Sequence, residues 1–115
     1  MTDADLELIR RWNQENTDPQ AIREIVSPDF VAHMEDGDIR GPDGWIEFVT
    51  GMGEHWTDLR AGQEEVIASG DLIGERWWLS GKRPDGTVSR IRGITMHRVS
   101  GGRLQEDWVV TEEEQ

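Results

Sequence analysis

The sequence predicts a single α+β domain, and three observations carry that prediction. Apolar residues recur at helical spacing through the first half of the chain. From about Leu59 the pattern changes to two-residue alternation, and compact turn sequences separate the alternating segments. Helices followed by hairpin-connected strands form an α+β domain, unlike the strand–helix alternation of a parallel sheet. At 115 residues there is room for one domain with a real core.

Each element has its own signal. Leu6, Leu8, Ile9 and Trp12 define a helix from Asp3 to about Gln14, with acidic residues in its first turn. Thr17-Asp18-Pro19 places a capping residue before a proline, the usual start of a helix. Ile22, Ile25 and Val26 share one side of that helix, and Ser27-Pro28 is expected to end it. Phe30-Val31-Ala32-His33 reads as a brief extended stretch, closed by the turn Glu35-Asp36-Gly37-Asp38. Gly41-Pro42-Asp43-Gly44 opens a third helix, whose Trp45, Phe48, Val49 and Met52 recur at three and four residues. Strands are expected near Leu59–Ser69, Leu72–Gly81, Val88–Val99 and Leu104–Thr111. Gly70-Asp71, Pro84-Asp85-Gly86 and Ser100-Gly101-Gly102 turn the chain between them. Glu112–Gln115 reads as an acidic tail, and no internal repeat occurs.

Composition narrows the function classes. A formal net charge of −12 argues against nucleic acid and against anionic membrane surfaces, both of which need Lys and Arg. The absence of cysteine removes disulfides, thiolate metal sites and cysteine nucleophiles. No apolar run approaches membrane-spanning length. The acidic start Met1-Thr2-Asp3-Ala4-Asp5 differs from a basic signal peptide, so the cytoplasm is the expected location. Gly-x-Ser-x-Gly and Gly-x-x-x-x-Gly-Lys motifs do not occur.

Six local strings carry a family resemblance. They are Ser27-Pro28-Asp29-Phe30-Val31-Ala32-His33, Gly41-Pro42-Asp43-Gly44-Trp45, Trp56-Thr57-Asp58-Leu59, the stretch from Ala68 to Trp77, the stretch from Gly93 to Val99, and the stretch from Gly102 to Trp108. In this order the chain resembles the SnoaL-like branch of the nuclear-transport-factor-like superfamily, which includes ketosteroid isomerases and polyketide cyclases. The resemblance implies a cone-shaped, cystatin-like roll: N-terminal helices packed in a strongly curved, mostly antiparallel sheet. It also implies a small-molecule pocket on the concave side and a homodimer through the outer sheet face. It does not specify an activity, because this fold hosts cyclases, isomerases, dehydratases, hydrolases and non-enzymatic binders.

Alternation sorts the strand residues into two faces but leaves open which face is inside. The resemblance turns Arg76, Trp78, Thr95, His97 and Asp107 towards the pocket, with Trp45, Trp56 and Trp78 as aromatic walls. His33 then falls at or beside the isomerases' general-base position. Asp107 is an approximate match to the last-strand carboxylate of the cyclases. On that reading His33, His97 and Asp107 handle protons, and Arg76 binds a carboxylate or a developing enolate oxygen. No cofactor is implied. Thr95 stands where the isomerases carry an acidic oxyanion-hole residue, and the chain has no tyrosine, so the usual steroid-isomerase pair is missing.

Each residue also has a purely structural reading. His33 would hydrogen-bond backbone, Arg76 and Asp107 would form a buried ion pair, His97 would lie in solvent at a sheet edge, and the tryptophans would be core. Arg90, Arg92 and Arg98 read as an outer stripe balanced by Glu75 and Glu106. A metal site of His33, His97 and Asp107 would require those three to converge, and no close-spaced ligand motif supports it. Two functions follow: a cofactor-free acid/base enzyme acting next to a carbonyl, or a non-catalytic ligand-binding or dimerisation domain. The enzyme reading requires His33, Arg76, His97 and Asp107 to share one cavity.

Overall fold

The computed structural model describes residues 3–114; Met1, Thr2 and Gln115, and with them the ends of the acidic start and tail, lie outside the described residues. Three helices and six strands follow one another as α1 (Asp3–Glu15), α2 (Pro19–Ile25), β1 (Val26–Met34), β2 (Gly37–Arg40), α3 (Gly41–His55), β3 (Thr57–Ser69), β4 (Leu72–Lys82), β5 (Val88–Ser100) and β6 (Arg103–Glu113). Asp18 caps α2 by accepting from the Gln20 N–H, with Pro19 in the first turn. The strands form one curved, unclosed sheet in the order β2-β1-β6-β5-β4-β3. Only the β1–β6 pairing is parallel among the described residues.

Three local expectations change. Ser27-Pro28 does not stop the chain as a loop; β1 begins at Val26 and runs through it. The β1–β6 register shifts between Val26 and Val31, so Pro28 sits where the ladder is interrupted and its missing N–H costs nothing there. The turn after β1 leads into a short strand, β2, paired antiparallel with β1. Glu112 and Glu113 belong to β6 and are not a tail.

All three helices pack on one face of the sheet. They supply Ile9, Trp12, Ala21, Ile22, Ile25, Trp45 and Val49 to the core, which meet Val26, Phe30, Ala32, Ile73, Val99 and Leu104 from the strands. Burial along β5 alternates, with Thr95, His97 and Val99 inside and Arg92, Ile94 and Met96 outside. Cross-strand neighbours share a face. Glu75 pairs with Thr95 and Trp77 with Gly93, so the inner positions of β4 are Ile73, Glu75, Trp77 and Leu79.

That register corrects the inherited assignment. Arg76 and Trp78 point to the outer face, opposite the helices. Both faces of β4 carry apolar bulk, so alternation alone could not phase the strand, and a one-residue slip reverses every side chain. Burial decides the matter: Ile73 disappears into the core, while a guanidinium at 76 stays hydrated.

Candidate functional site

The inner face carries a buried three-residue cluster. His97 on β5 lies between Asp107 on β6 and Glu75 on β4, with residue exposures of 2%, 1% and 3%. Its Nδ1 is 2.6 Å from Asp107 Oδ1, and its Nε2 contacts Glu75 Oε2. The other oxygen of Glu75 accepts from Asn13 Nδ2 of α1 at 2.7 Å and from Gln63 Nε2 of β3 at 3.2 Å. Three of the four carboxylate oxygens are therefore occupied. Among the described residues no hydrogen bond takes Asp107 Oδ2.

Charge follows from these contacts. An imidazole facing carboxylate oxygens through both nitrogens makes two good hydrogen bonds only when both nitrogens carry hydrogen, which makes it a cation. Burial alone would lower the His97 pKa, but the charge and hydrogen bond of Asp107, joined by Glu75, raise it to about 9. Burial raises the Asp107 carboxyl above its ordinary value, His97 pulls it back, and Glu75 pushes it up again. Asp107 is thus a stronger base than a hydrated carboxylate, stabilised by one adjacent cation.

The other expected site residues lie elsewhere. His33 is on the outer face, half-buried, stacked on Trp108 and held by Glu106 at 2.5 Å and Asp38 at 3.0 Å. Those two carboxylates, rather than backbone, are its partners, and they raise its pKa, Glu106 most. Arg76 pairs with Glu65 and Glu64, not Asp107, and is exposed. The set His33, Arg76, His97 and Asp107 therefore does not share a cavity, and His33, His97 and Asp107 cannot meet on one metal ion. Nor does His97 lie in solvent.

The tryptophans also separate. Trp45 is core, packed against Trp12, Phe30 and Phe48, and its Nε1 donates to Asn16 O at 2.8 Å. Trp56 follows α3 and carries the Arg83 guanidinium on its ring. Trp78 lies outside under Arg90. Trp77 takes the inner position assigned to Trp78, and its Nε1 donates to Thr95 Oγ1 at 2.8 Å. Two open surface depressions, of about 450 Å³ along α1 and about 260 Å³ beside Asp58, Arg60 and Lys82, do not reach the His97 cluster.

Glu75 is the residue that sequence reasoning missed. The sequence pattern puts it with Glu106 as a partner of the outer arginine stripe; of the two only Glu106 lies there, beside Arg98. Its signal was a lone carboxylate within Ile73-x-Glu75-x-Trp77-x-Leu79, an otherwise apolar row. Asn13 left no such mark, because its partner is 62 residues away.

Gly93 makes room for Trp77. A Cβ there would lie 2.6 Å from Trp77 Cε2 and 2.8 Å from Cη2, both atoms of a rigid ring. Gly93→Ala is expected to displace the indole, break its bond to Thr95 and cost about 1–3 kcal/mol in urea unfolding. Unchanged stability and unchanged tryptophan fluorescence would contradict this packing.

Comparison with known proteins agrees with the architecture. The family model of the SnoaL-like domain matches residues 6–107. Among solved structures, IdmH, a proposed polyketide cyclase from Streptomyces antibioticus, has a TM-score of 0.83 at 21% identity, covering 94% of this chain and 91% of its own. An NTF2-like protein of unknown function from Burkholderia pseudomallei has a TM-score of 0.85 at 17% identity, with coverages of 96% and 92%. A protein of ketosteroid isomerase-like fold from Catenulispora acidiphila, in complex with trimethylamine, has a TM-score of 0.81 at 15% identity, with coverages of 90% and 84%. The search of curated proteins gave no match.

Proposed function

Because the chain belongs to the SnoaL-like domain family, we propose that it binds a small carbonyl compound on its inner face and moves a proton at the neighbouring carbon, without a cofactor. The observation that carries this reading is Asp107 Oδ2, which no hydrogen bond takes among the described residues, on a buried carboxylate held in place by His97 through its other oxygen. Asp107 takes the proton. His97 keeps its charge and balances the ionised form of Asp107. Thr95, whose hydroxyl accepts from Trp77, retains its own hydrogen to donate to the ligand oxygen. On this reading a ligand would approach over Trp77, Leu79, Ile91 and Thr111, the half-buried inner positions of β4, β5 and β6.

The four-residue enzyme reading fails its own requirement, because His33 and Arg76 lie on the outer face; the present reading is a different one, confined to Asp107, His97 and Thr95 on the inner face. It is tested by deuterium uptake from solvent at carbons next to a carbonyl, which the wild type should accelerate and Asp107→Asn should not. One observation favours the second reading, a non-catalytic domain: every member of the His97 cluster is almost fully buried, as in a structural ion network. That reading expects no acceleration by either protein.

The outer face supports a homodimer. Ile67, Ile94, Met96, Trp108 and Val110 are exposed there. Ile94 opposes Val110, Met96 opposes Trp108, and Gly74 lies between Ile67 and Met96. A continuous apolar patch of this kind, flanked by both Arg76 and Glu112, suits a self-complementary twofold contact. Ile94→Glu is expected to turn a dimer into a monomer in sedimentation equilibrium; a wild-type monomer at all concentrations would contradict the contact.

A further inference from the structure

We infer that Glu75 is a positioning residue of this site: it fixes the ring and the charge of His97, and through His97 the state of Asp107. The inference deepens the proton-transfer reading and rests on it for the word site, but its geometry stands separately.

Glu75 is held from two sides. Asn13 of α1 and Gln63 of β3 donate to Oε1, which leaves Oε2 for His97 Nε2. Two further elements therefore converge on β4 to aim one carboxylate at one imidazole nitrogen. The ring cannot turn about its own axis without giving up Glu75 or Asp107. Among the described residues no arginine or lysine pairs with either carboxylate, so His97 is the cation that both of them face.

The chemistry separates a charged from a neutral partner at position 75. With a carboxylate there, Nε2 must carry hydrogen, and Nδ1 must carry it for Asp107. With an amide there, Nε2 can accept from the amide N–H, and the ring can be neutral. The amide is nearly the same size, so the test removes charge and leaves shape. Asp107 would then lose the cation that lets it stay ionised in the interior. A carboxylate that only filled space would produce none of this.

Nuclear magnetic resonance of the ¹⁵N-labelled histidine rings reads the effect directly, with His33 and His55 assigned by substitution. In the wild type His97 should remain an imidazolium through neutral pH. In Glu75→Gln its acid constant should rise at least about tenfold, with a neutral-ring signature at Nε2. Should Glu75→Gln not fold, Glu75→Asp reports instead, because the shortened side chain withdraws from Nε2 and the midpoint falls by a smaller step. A ring that is neutral in the wild type at neutral pH, or a midpoint that neither variant moves, overturns the assignment. The titration needs no ligand, so it fails or succeeds separately from the deuterium-uptake test of Asp107.

Discussion

Replacing His97 with leucine is expected to cost about 3–5 kcal/mol near neutral pH, the range for removing one partner of a buried ion pair. Glu75 and Asp107 would be left in the interior without a cation. The pH dependence of stability should change with the substitution, and its sign can be worked out. In the wild type the His97 pKa is raised to about 9, above the ordinary imidazole value of 6.5. Its contribution is therefore complete below pH 6.5 and is lost as pH rises through about 9. In His97→Leu the burial that raises Asp107 is no longer opposed by a neighbouring cation. A carboxylate with a raised pKa stabilises at low pH and loses that contribution as pH rises above its unfolded value of 3.8. The variant should thus be closest to the wild type in mild acid and furthest from it near neutrality. Urea unfolding across that range measures the difference. An equal deficit at every pH would mean that the leucine only leaves a packing defect and that the cluster carries little charge.

The architecture was legible because its signals are local. Asp18-Pro19 starts α2 where a cap and a ring-fixed φ predict it, and the Trp45–Met52 spacing marks the buried side of α3. The glycine-containing turns separate the strands as expected. Pro28 misled for a physical reason: a proline ends regular pairing only where its N–H is needed, and the β1–β6 register shift removes that need.

The site was less legible because it depends on strand phase and on distant partners. For β5 and β6 the resemblance supplies the phase that the structure has, so His97 and Asp107 fall on one face together. β4 has tryptophan, leucine, glycine and a charged residue on both faces, and its phase came from the resemblance, one residue out. That single slip exchanged Arg76 and Trp78 for Glu75 and Trp77. It also hid the anionic character of the inner cluster, which has two carboxylates around one imidazole and no arginine. A ligand that relies on a guanidinium for its carboxylate has no partner at this cluster. His33 shows the converse: beyond Asp38, five residues on, its neighbours Trp108 and Glu106 lie on a strand 73 to 75 residues away and cannot be read from its own segment.

Proton abstraction by Asp107 is the claim on which the functional account stands. General-base catalysis by a positioned side chain typically contributes about 10²–10⁴-fold, so removing the base is a large and specific loss. Asp107→Asn keeps the size of the side chain and can still accept from His97 through its amide oxygen, which separates chemistry from folding. The most direct measurement incubates wild type and Asp107→Asn in deuterium oxide with a panel of small ketones and β-dicarbonyl compounds, and follows uptake by proton resonance. Wild type accelerating uptake in at least one compound, with Asp107→Asn falling by about 10²-fold or more, is the predicted result. No acceleration of any compound by the wild type, or equal acceleration by a folded Asp107→Asn, would contradict it and leave the His97 cluster a structural network.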